Sequence, residues 1–176
     1  MRLKAGEKAP LFKTTDIADD YIDLNAYKGN KVLLSFYRYA SCPLCNLRIN
    51  HLIKLYPELS NKGLKIISIF QSPKSSILEY VGKQDAPFPI VPDPSQKLYK
   101  LYGVETSWLG FAKAGLEVKK LIETTQKGFL PGKVEGDMNR IPADFLINEN
   151  GVIQKAFYGE DISDHMPIED IIAFVN

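Results

Sequence analysis

Two apolar runs separated by one long amphipathic segment restrict this chain more than any other feature. Lys31-Val-Leu-Leu-Ser-Phe-Tyr37 and Leu64-Lys-Ile-Ile-Ser-Ile-Phe70 are almost continuously apolar, the pattern of strands covered on both faces. Between them Ile49, Leu52, Ile53 and Tyr56 recur at helical spacing and make one apolar stripe. Pro43 suits the first helical position, and Asn61-Lys62-Gly63 ends the helix. Strand, helix and strand in this order form a β-α-β unit, whose crossover is expected to be right-handed. The fold class is therefore α/β.

The rest of the chain extends that unit. Leu11 to Asp16 and Tyr21 to Leu24 read as short strands about a turn at Asp19-Asp20, an N-terminal β extension. Ser75 to Val81 is a short helix candidate, and the prolines keep Pro87 to Pro92 extended. Asp93-Pro94 looks like a cap and first residue of a helix running through Leu98, Leu101 and Tyr102 to Gly103. Ala143 to Asn148 and Gly151 to Tyr158 form a hairpin. Pro167 to Val175 closes the chain as a helix with Ile168, Ile171, Ile172 and Val175 on one face. One domain over residues 1–176 is expected, a central mixed β-sheet flanked by helices.

Thr106 to Asn139 stands apart as a helical insertion of one or two helices and a loop. It mixes Trp108, Leu109, Phe111, Leu116, Leu121 and Ile122 with Lys113, Lys119, Lys120 and Lys127, and then runs through Gly128, Pro131, Gly132 and Gly136. Three roles are open to it: packing on the same core, contact with a second copy in a homodimer, or a cover for the cysteine pocket.

A net charge of +1 argues against a broad surface for nucleic acid. No stretch approaches the ~20 apolar residues of a transmembrane helix, so no membrane partner is expected. Met1 to Lys8 has no apolar signal-peptide core, which makes a cytoplasmic location the expectation.

Cys42-Pro43-Leu44-Cys45 holds the only two cysteines and lies between the first apolar strand and the helix. In a cytoplasmic chain such a pair points to redox or metal chemistry more than to a structural staple. The free N–H groups and dipole of a helix N-terminus favour a thiolate, the nucleophilic form. An i, i+3 pair there can close an intramolecular disulfide, so one sulfur can attack a substrate and the other resolve the product. The cysteines carry the electrons themselves, and no bound cofactor is needed. Zinc would need four ligands, and a second cysteine pair is absent. His51 and His165, the only histidines, read as surface residues. Two inert core thiols or a fixed disulfide are the remaining alternatives.

Pro142 precedes a strand and cannot donate to its ladder, so it belongs at the strand's start. A cis bond there would set the Ile141 backbone beside the sulfurs, ready to pair with a substrate chain; a trans bond would simply mark a strand edge. Arg38, Arg48 and Arg140 could each lower a thiol pKa or hold an oxyanion, or could instead make solvated ion pairs. Tyr37 and Tyr39 could donate to a peroxide or simply pack.

Taken together these residues resemble the thioredoxin-like superfamily, and within it the peroxiredoxin (alkyl hydroperoxide reductase/thiol-specific antioxidant, or redoxin) group. The segments that carry the likeness are Gly6 to Phe12, Asp23 to Gly29, Phe88 to Asp93, Tyr99 to Val104 and Phe145 to Gly151. Phe36-Tyr-Arg-Tyr-Ala-Ser-Cys-Pro-Leu-Cys-Asn-Leu-Arg48 looks like a bacterial branch with a C-x-x-C pair. In the peroxiredoxin pattern P-x-x-x-T-x-x-C, Arg38 takes the place of the proline, Cys42 of the threonine and Cys45 of the attacking cysteine. The thioredoxin pattern makes Cys42 the attacking thiol and Cys45 the resolving one. Cys42 is favoured for disulfide exchange, and Cys45 stays open for peroxide. The resemblance implies an antioxidant oxidoreductase that reduces hydroperoxides or protein disulfides and is re-reduced by a thiol donor, either a thioredoxin or a low-molecular-weight thiol. The rival is a non-catalytic binding module that keeps the fold and uses the 106–139 insertion for protein contact.

Overall fold

The computed structural model describes residues 1–114 and 118–176, apart from the side chains of residue 114 and residues 118–121. Strands β1 (Lys13–Thr15) and β2 (Tyr21–Asp23) make a separate antiparallel hairpin. Strands β3 (Lys31–Phe36), β4 (Leu64–Phe70), β5 (Ile90–Pro92), β6 (Ala143–Ile147) and β7 (Ile153–Tyr158) form one sheet in the order β5-β4-β3-β6-β7. β3 pairs with β4 and β4 with β5 in parallel, whereas β3–β6 and β6–β7 are antiparallel. The sheet is mixed, as the sequence pattern requires.

Strand alternation divides the core. Val32, Leu34, Phe36, Ile67, Ile69 and Phe145 point into one apolar cluster, with Tyr99 and Tyr102 packed among them. Leu33, Tyr37, Ile66, Phe70 and Leu146 point into the other, beneath helices α1 (Pro43–Asn61) and, near the C-terminus, Ile171 and Val175. The stripe on α1 behaves as its spacing predicts. Ile49 and Leu52 are fully buried, and Ile53 and Tyr56 pack at the cluster's margin.

The second face carries an exception to its apolar character. Ser35 on β3 is in register with Ser68 on β4 and with Asp144 on β6, so three polar side chains form one row across the middle of the sheet. All three are completely buried.

Two short helices, α2 (Lys74–Glu79) and α3 (Lys97–Leu101), follow β4 and β5. The sequence places the start of α3 at Pro94; the structure starts it at Lys97. The Asp93 carboxylate accepts the backbone N–H groups of Lys97 and Leu98, four and five residues on. Asp93 thus caps the helix across an intervening turn. The insertion folds as α4 (Trp108–Ala114) and α5 (Val118–Gln126), followed by an extended loop. Leu116 and the side chains of Lys119, Lys120 and Leu121 lie outside the described residues. Helix α5 lies along α1, joined to it by a His51–Glu123 contact of 3.0 Å. Helix α6 (Ile168–Val175) closes the chain. Among the described residues no helix is long and apolar enough to cross a membrane.

Candidate active site

Cys42 occupies the N-cap of α1 with extended backbone, and Pro43 is the first helical residue. This geometry aims the Cys42 sulfur at the free donors of the first turn. Its Sγ accepts the Cys45 backbone N–H at 3.4 Å and an Arg38 Nη1–H at 3.4 Å. Burial pushes the Cys42 thiol up. Hydrogen bonding from Cys45, the Arg38 charge and the backbone N–H groups of Cys45 and Leu44 outweigh it and bring the pKa down to about 6. Cys45 behaves oppositely. Burial raises it, and its hydrogen bond to Cys42 and the Cys42 charge raise it further, with only partial relief from Arg38. One sulfur is held as a thiolate and its neighbour as a thiol that donates to it. Both are closed off from solvent, at 0% and 1% exposure.

Arg38 is buried between two rings, with its guanidinium carbon 4.8 Å from the Tyr39 centroid and 5.9 Å from that of Phe111. One Nη2–H reaches the Tyr39 hydroxyl at 3.4 Å, and Nη2 also donates to the Met138 carbonyl at 2.5 Å. Arg38 therefore joins the Cys42 sulfur to the loop after α5. The segment carrying it is fixed on several sides. Ala40 N–H donates to Ser72 Oγ, and Asn46 Nδ2 donates to the carbonyls of Ala40 and Cys42. Gln84 Nε2 in turn donates to Asn46.

The other expected site residues fall in three places. Ile141 touches the site through its side chain, which packs with Ile162, Phe111 and Leu44, the residue between Pro43 and Cys45. Its backbone N–H is taken by the Glu105 carbonyl at 3.1 Å, so that donor is not free for a substrate chain. There is no cis peptide bond among the described residues, and Pro142 is a trans proline at the edge of β6. Arg48 does not turn to the sulfurs. Its Nη2 donates to the Met166 carbonyl at 2.8 Å, and its charge acts on buried Asp144. Arg140 is buried away from the thiols, donating to the Val104 carbonyl, Gln96, Gln71 and Asp137, with Tyr99 beneath its plane.

His165 also departs from expectation. Its side chain is 6% exposed, and Nδ1 lies 3.0 Å from Asp144 Oδ2. The Met166 backbone N–H donates to the same oxygen at 2.7 Å. Burial pushes the Asp144 carboxyl up, but His165 and Arg48 hold it down at about 2. A groove of about 290 Å³ runs beside this pair, walled by Leu44, Leu47, Arg48, His51 and Pro167. Among the described residues no group of three or more His, Cys, Asp or Glu is placed to hold a metal ion.

Sequence reasoning missed Ser41, Asn46, Gln71, Ser72 and the Met138 carbonyl. Asn46 follows the cysteine pair directly, which was a usable signal. The Met138 carbonyl had none, because a backbone oxygen a hundred residues from Arg38 leaves no trace in composition. Trp108 and Leu109, singled out in the insertion, stay largely in solvent at 68% and 71% exposure, while Phe111 on the same helix turns inward to Arg38.

The sequence matches the AhpC/TSA family over residues 5–156. It is 27% identical over 163 residues to a putative peroxiredoxin bcp of Haemophilus influenzae, covering 93% of this chain and 91% of that protein. It is 30% identical over 135 residues to the thiol-disulfide oxidoreductase ResA of Bacillus thuringiensis, covering 74% and 77%. In fold it is similar to the crystal structure of peroxidoxin BcpB from Mycobacterium tuberculosis, with TM-score 0.70 at 16% identity over 99% of this chain and 97% of that one. The thioredoxin-like α/β fold and the C-x-x-C pair at the head of α1 agree with these relatives. The chain belongs to the AhpC/TSA family and is a thiol-based oxidoreductase.

Proposed function

We propose that Cys42 is the attacking thiolate, that Cys45 resolves, and that the substrates are hydroperoxides and disulfides. The observation that carries this assignment is the shared attention of two donors, the Arg38 guanidinium and the Cys45 N–H, on the Cys42 sulfur alone. With a hydroperoxide, the Cys42 thiolate forms a bond to the terminal oxygen as the O–O bond breaks. The departing alkoxide takes up a proton and leaves as an alcohol, or as water from hydrogen peroxide. Arg38, at the sulfur, is placed to stabilise that developing negative oxygen. The Cys45 sulfur then attacks the Cys42 sulfenic acid, the S–S bond forms, and hydroxide leaves as water with the Cys45 proton. Two equivalents of an external thiol return the pair to the dithiol and are themselves oxidised to a disulfide. With a disulfide substrate, the same thiolate makes the mixed disulfide and Cys45 releases it.

This order reverses the role that the peroxiredoxin sequence pattern gives Cys45. The test is stopped-flow consumption of hydrogen peroxide by the reduced protein and by its Cys42→Ser and Cys45→Ser variants. Cys45→Ser should consume one equivalent fast and stop, whereas Cys42→Ser should react no faster than a free thiol. Fast consumption by Cys42→Ser would transfer the peroxidatic role to Cys45.

A further inference from the structure

The groove of about 290 Å³ beside His165 takes no part in the redox steps above. One wall is a stripe of α1, Leu44, Leu47, Arg48 and His51, at the i, i+3, i+4 and i+7 positions of one helical face. The facing wall is the segment before α6, with His165 and Pro167. The stripe starts between the two cysteines and runs about 10 Å down the helix. A cleft of this volume stands at the lower end of the range that holds small ligands. Two of its polar side chains carry unmet nitrogens: Arg48 Nε and His165 Nε2 are buried without a hydrogen-bond partner. Such groups are uncommon in folded proteins and mark places where a partner is expected. The carboxylates in the walls do not meet them. Glu123 is taken by His51 and Lys127, and Asp164 accepts the Glu160 backbone N–H. Arg48 donates to a neutral group, the Met166 carbonyl, and Asp144 feels its charge without a hydrogen bond to it.

We propose that this groove seats the thiol that recycles the enzyme, a low-molecular-weight thiol bearing a carboxylate, with Arg48 holding the carboxylate and the thiol reaching Cys42 past Leu44. The inference rests on the assignment of Cys42 and Cys45 as a redox pair and names the donor that this pair accepts. Arginine suits the role, because its planar fork matches a carboxylate and charge-assisted bonds are the stronger kind. Leu44 and Arg48 are four residues apart, about 6 Å along the helix axis. Sulfur and carboxylate must therefore be separated by several bonds, as they are in a cysteinyl dipeptide. Leu44 and Pro167 offer apolar surface to its carbon atoms. In the recycling step the ligand's thiolate forms a bond to the Cys42 sulfur as the Cys42–Cys45 bond breaks, and Cys45 takes up the proton that the thiol gave up. A second thiolate attacks the ligand sulfur of the mixed disulfide, Cys42 leaves as the thiolate, and the two ligands depart joined as a disulfide.

A pair of thiols that differ in one charge tests the groove. The oxidised protein, its Cys42–Cys45 disulfide verified by mass spectrometry, is mixed with N-acetyl-cysteinyl-glycine or with the same peptide as its C-terminal amide. Regain of protein thiols is timed at low ionic strength, where charge attraction is least screened. The acid should reduce the protein at least about fivefold faster than the amide, with a rate that saturates as its concentration rises. Arg48→Met should abolish that advantage, and Arg48→Lys should keep most of it. If Arg48→Met does not fold, the S-methylated acid decides on the unaltered protein. It has no free thiol and should inhibit the acid competitively, whereas the S-methylated amide should not; no inhibition by either would overturn the site. Equal rates for acid and amide, or a preference for the acid that persists in folded Arg48→Met, would also overturn it and leave the redox pair standing. If no Cys42–Cys45 disulfide forms, the redox assignment falls first and the groove's role with it.

Discussion

At the scale of single residues, the site is an unequal division of one proton between two sulfurs. Both thiols are fully buried, and burial alone would raise both. Only Cys42 receives the helix N–H and the guanidinium, and that asymmetry is the ground on which we propose it as the nucleophile. Alkylation of Cys42 by iodoacetamide, followed by mass spectrometry, should therefore rise with pH and reach half its maximum near the Cys42 pKa of about 6. Arg38→Met removes a positive charge from beside the thiolate, so the midpoint should move upward. A rise of about one unit, roughly 1.4 kcal/mol, would cut labelling at pH 6 about fivefold. An unchanged midpoint would mean that the helix terminus alone sets the thiolate. Much of this was legible in the sequence. The cysteine spacing, Pro43 and the strand before them mark the thiol pair and its helix, while leaving open which sulfur attacks, and Arg38 was among three candidate cations. Arg48 and Arg140 were not separable from it by spacing. Arg48 stands one turn beyond Cys45, as a thiol partner would, but a buried carboxylate under the helix and the Met166 carbonyl draw it away.

At the scale of elements, legibility followed periodicity. Helix α1 and strand β4 have the bounds their patterns imply, because an apolar stripe and a Gly63 stop define them. Helix α3 begins later than expected because its cap reaches forward from Asp93, which a cap-then-helix rule does not anticipate. The loop of residues 129–139 has no periodicity, since its attachment runs mostly through backbone carbonyls. Helix α4 depends on close approach. A Cβ on Gly110 would stand 2.6 Å from the Glu160 carbonyl oxygen and 2.8 Å from Ile141 Cδ1. That contact lets α4 lie low enough for Phe111 to reach Arg38. Gly110→Val should cost about 1–3 kcal/mol by overpacking. It should also speed thiol labelling severalfold as α4 lifts, which melting curves and timed reaction with a chromogenic disulfide would show. A variant that loses stability while its thiols stay shielded would mean that α4 does not cover the site.

At the scale of the whole molecule, the register of the sheet gathers Ser68, Ser35 and Asp144 into one buried row, and that row sits on the face shared by α1 and α6. Each is a single polar residue flanked by apolar ones when read along the chain. Only strand pairing brings them together, which is why the sequence did not reveal the row. Asp144 is the charged member. Its carboxyl is held at about 2, below the ordinary value of 3.8. Ionisation therefore contributes stability above the ordinary carboxylate range, on the order of 2 kcal/mol, and this is lost as pH falls through the interval down to about 2. Removing one member of a buried pair typically costs about 3–5 kcal/mol, a large share of the roughly 5–15 kcal/mol that holds a domain together. Asp144→Ala should thus lower the urea midpoint strongly, and a chain cut after Tyr158 should show no cooperative unfolding transition at all. A cut chain that unfolds cooperatively would mean that the row is stable without its partners. Those partners, His165 and the Met166 N–H, lie beyond residue 156, where the match to the family ends. What is inherited as a recognisable pattern is thus shorter than what must travel together. A graft, fusion or minimal version of this enzyme that respects the family boundary would carry the buried carboxylate of the sheet and leave behind the imidazole and the backbone N–H that hold it.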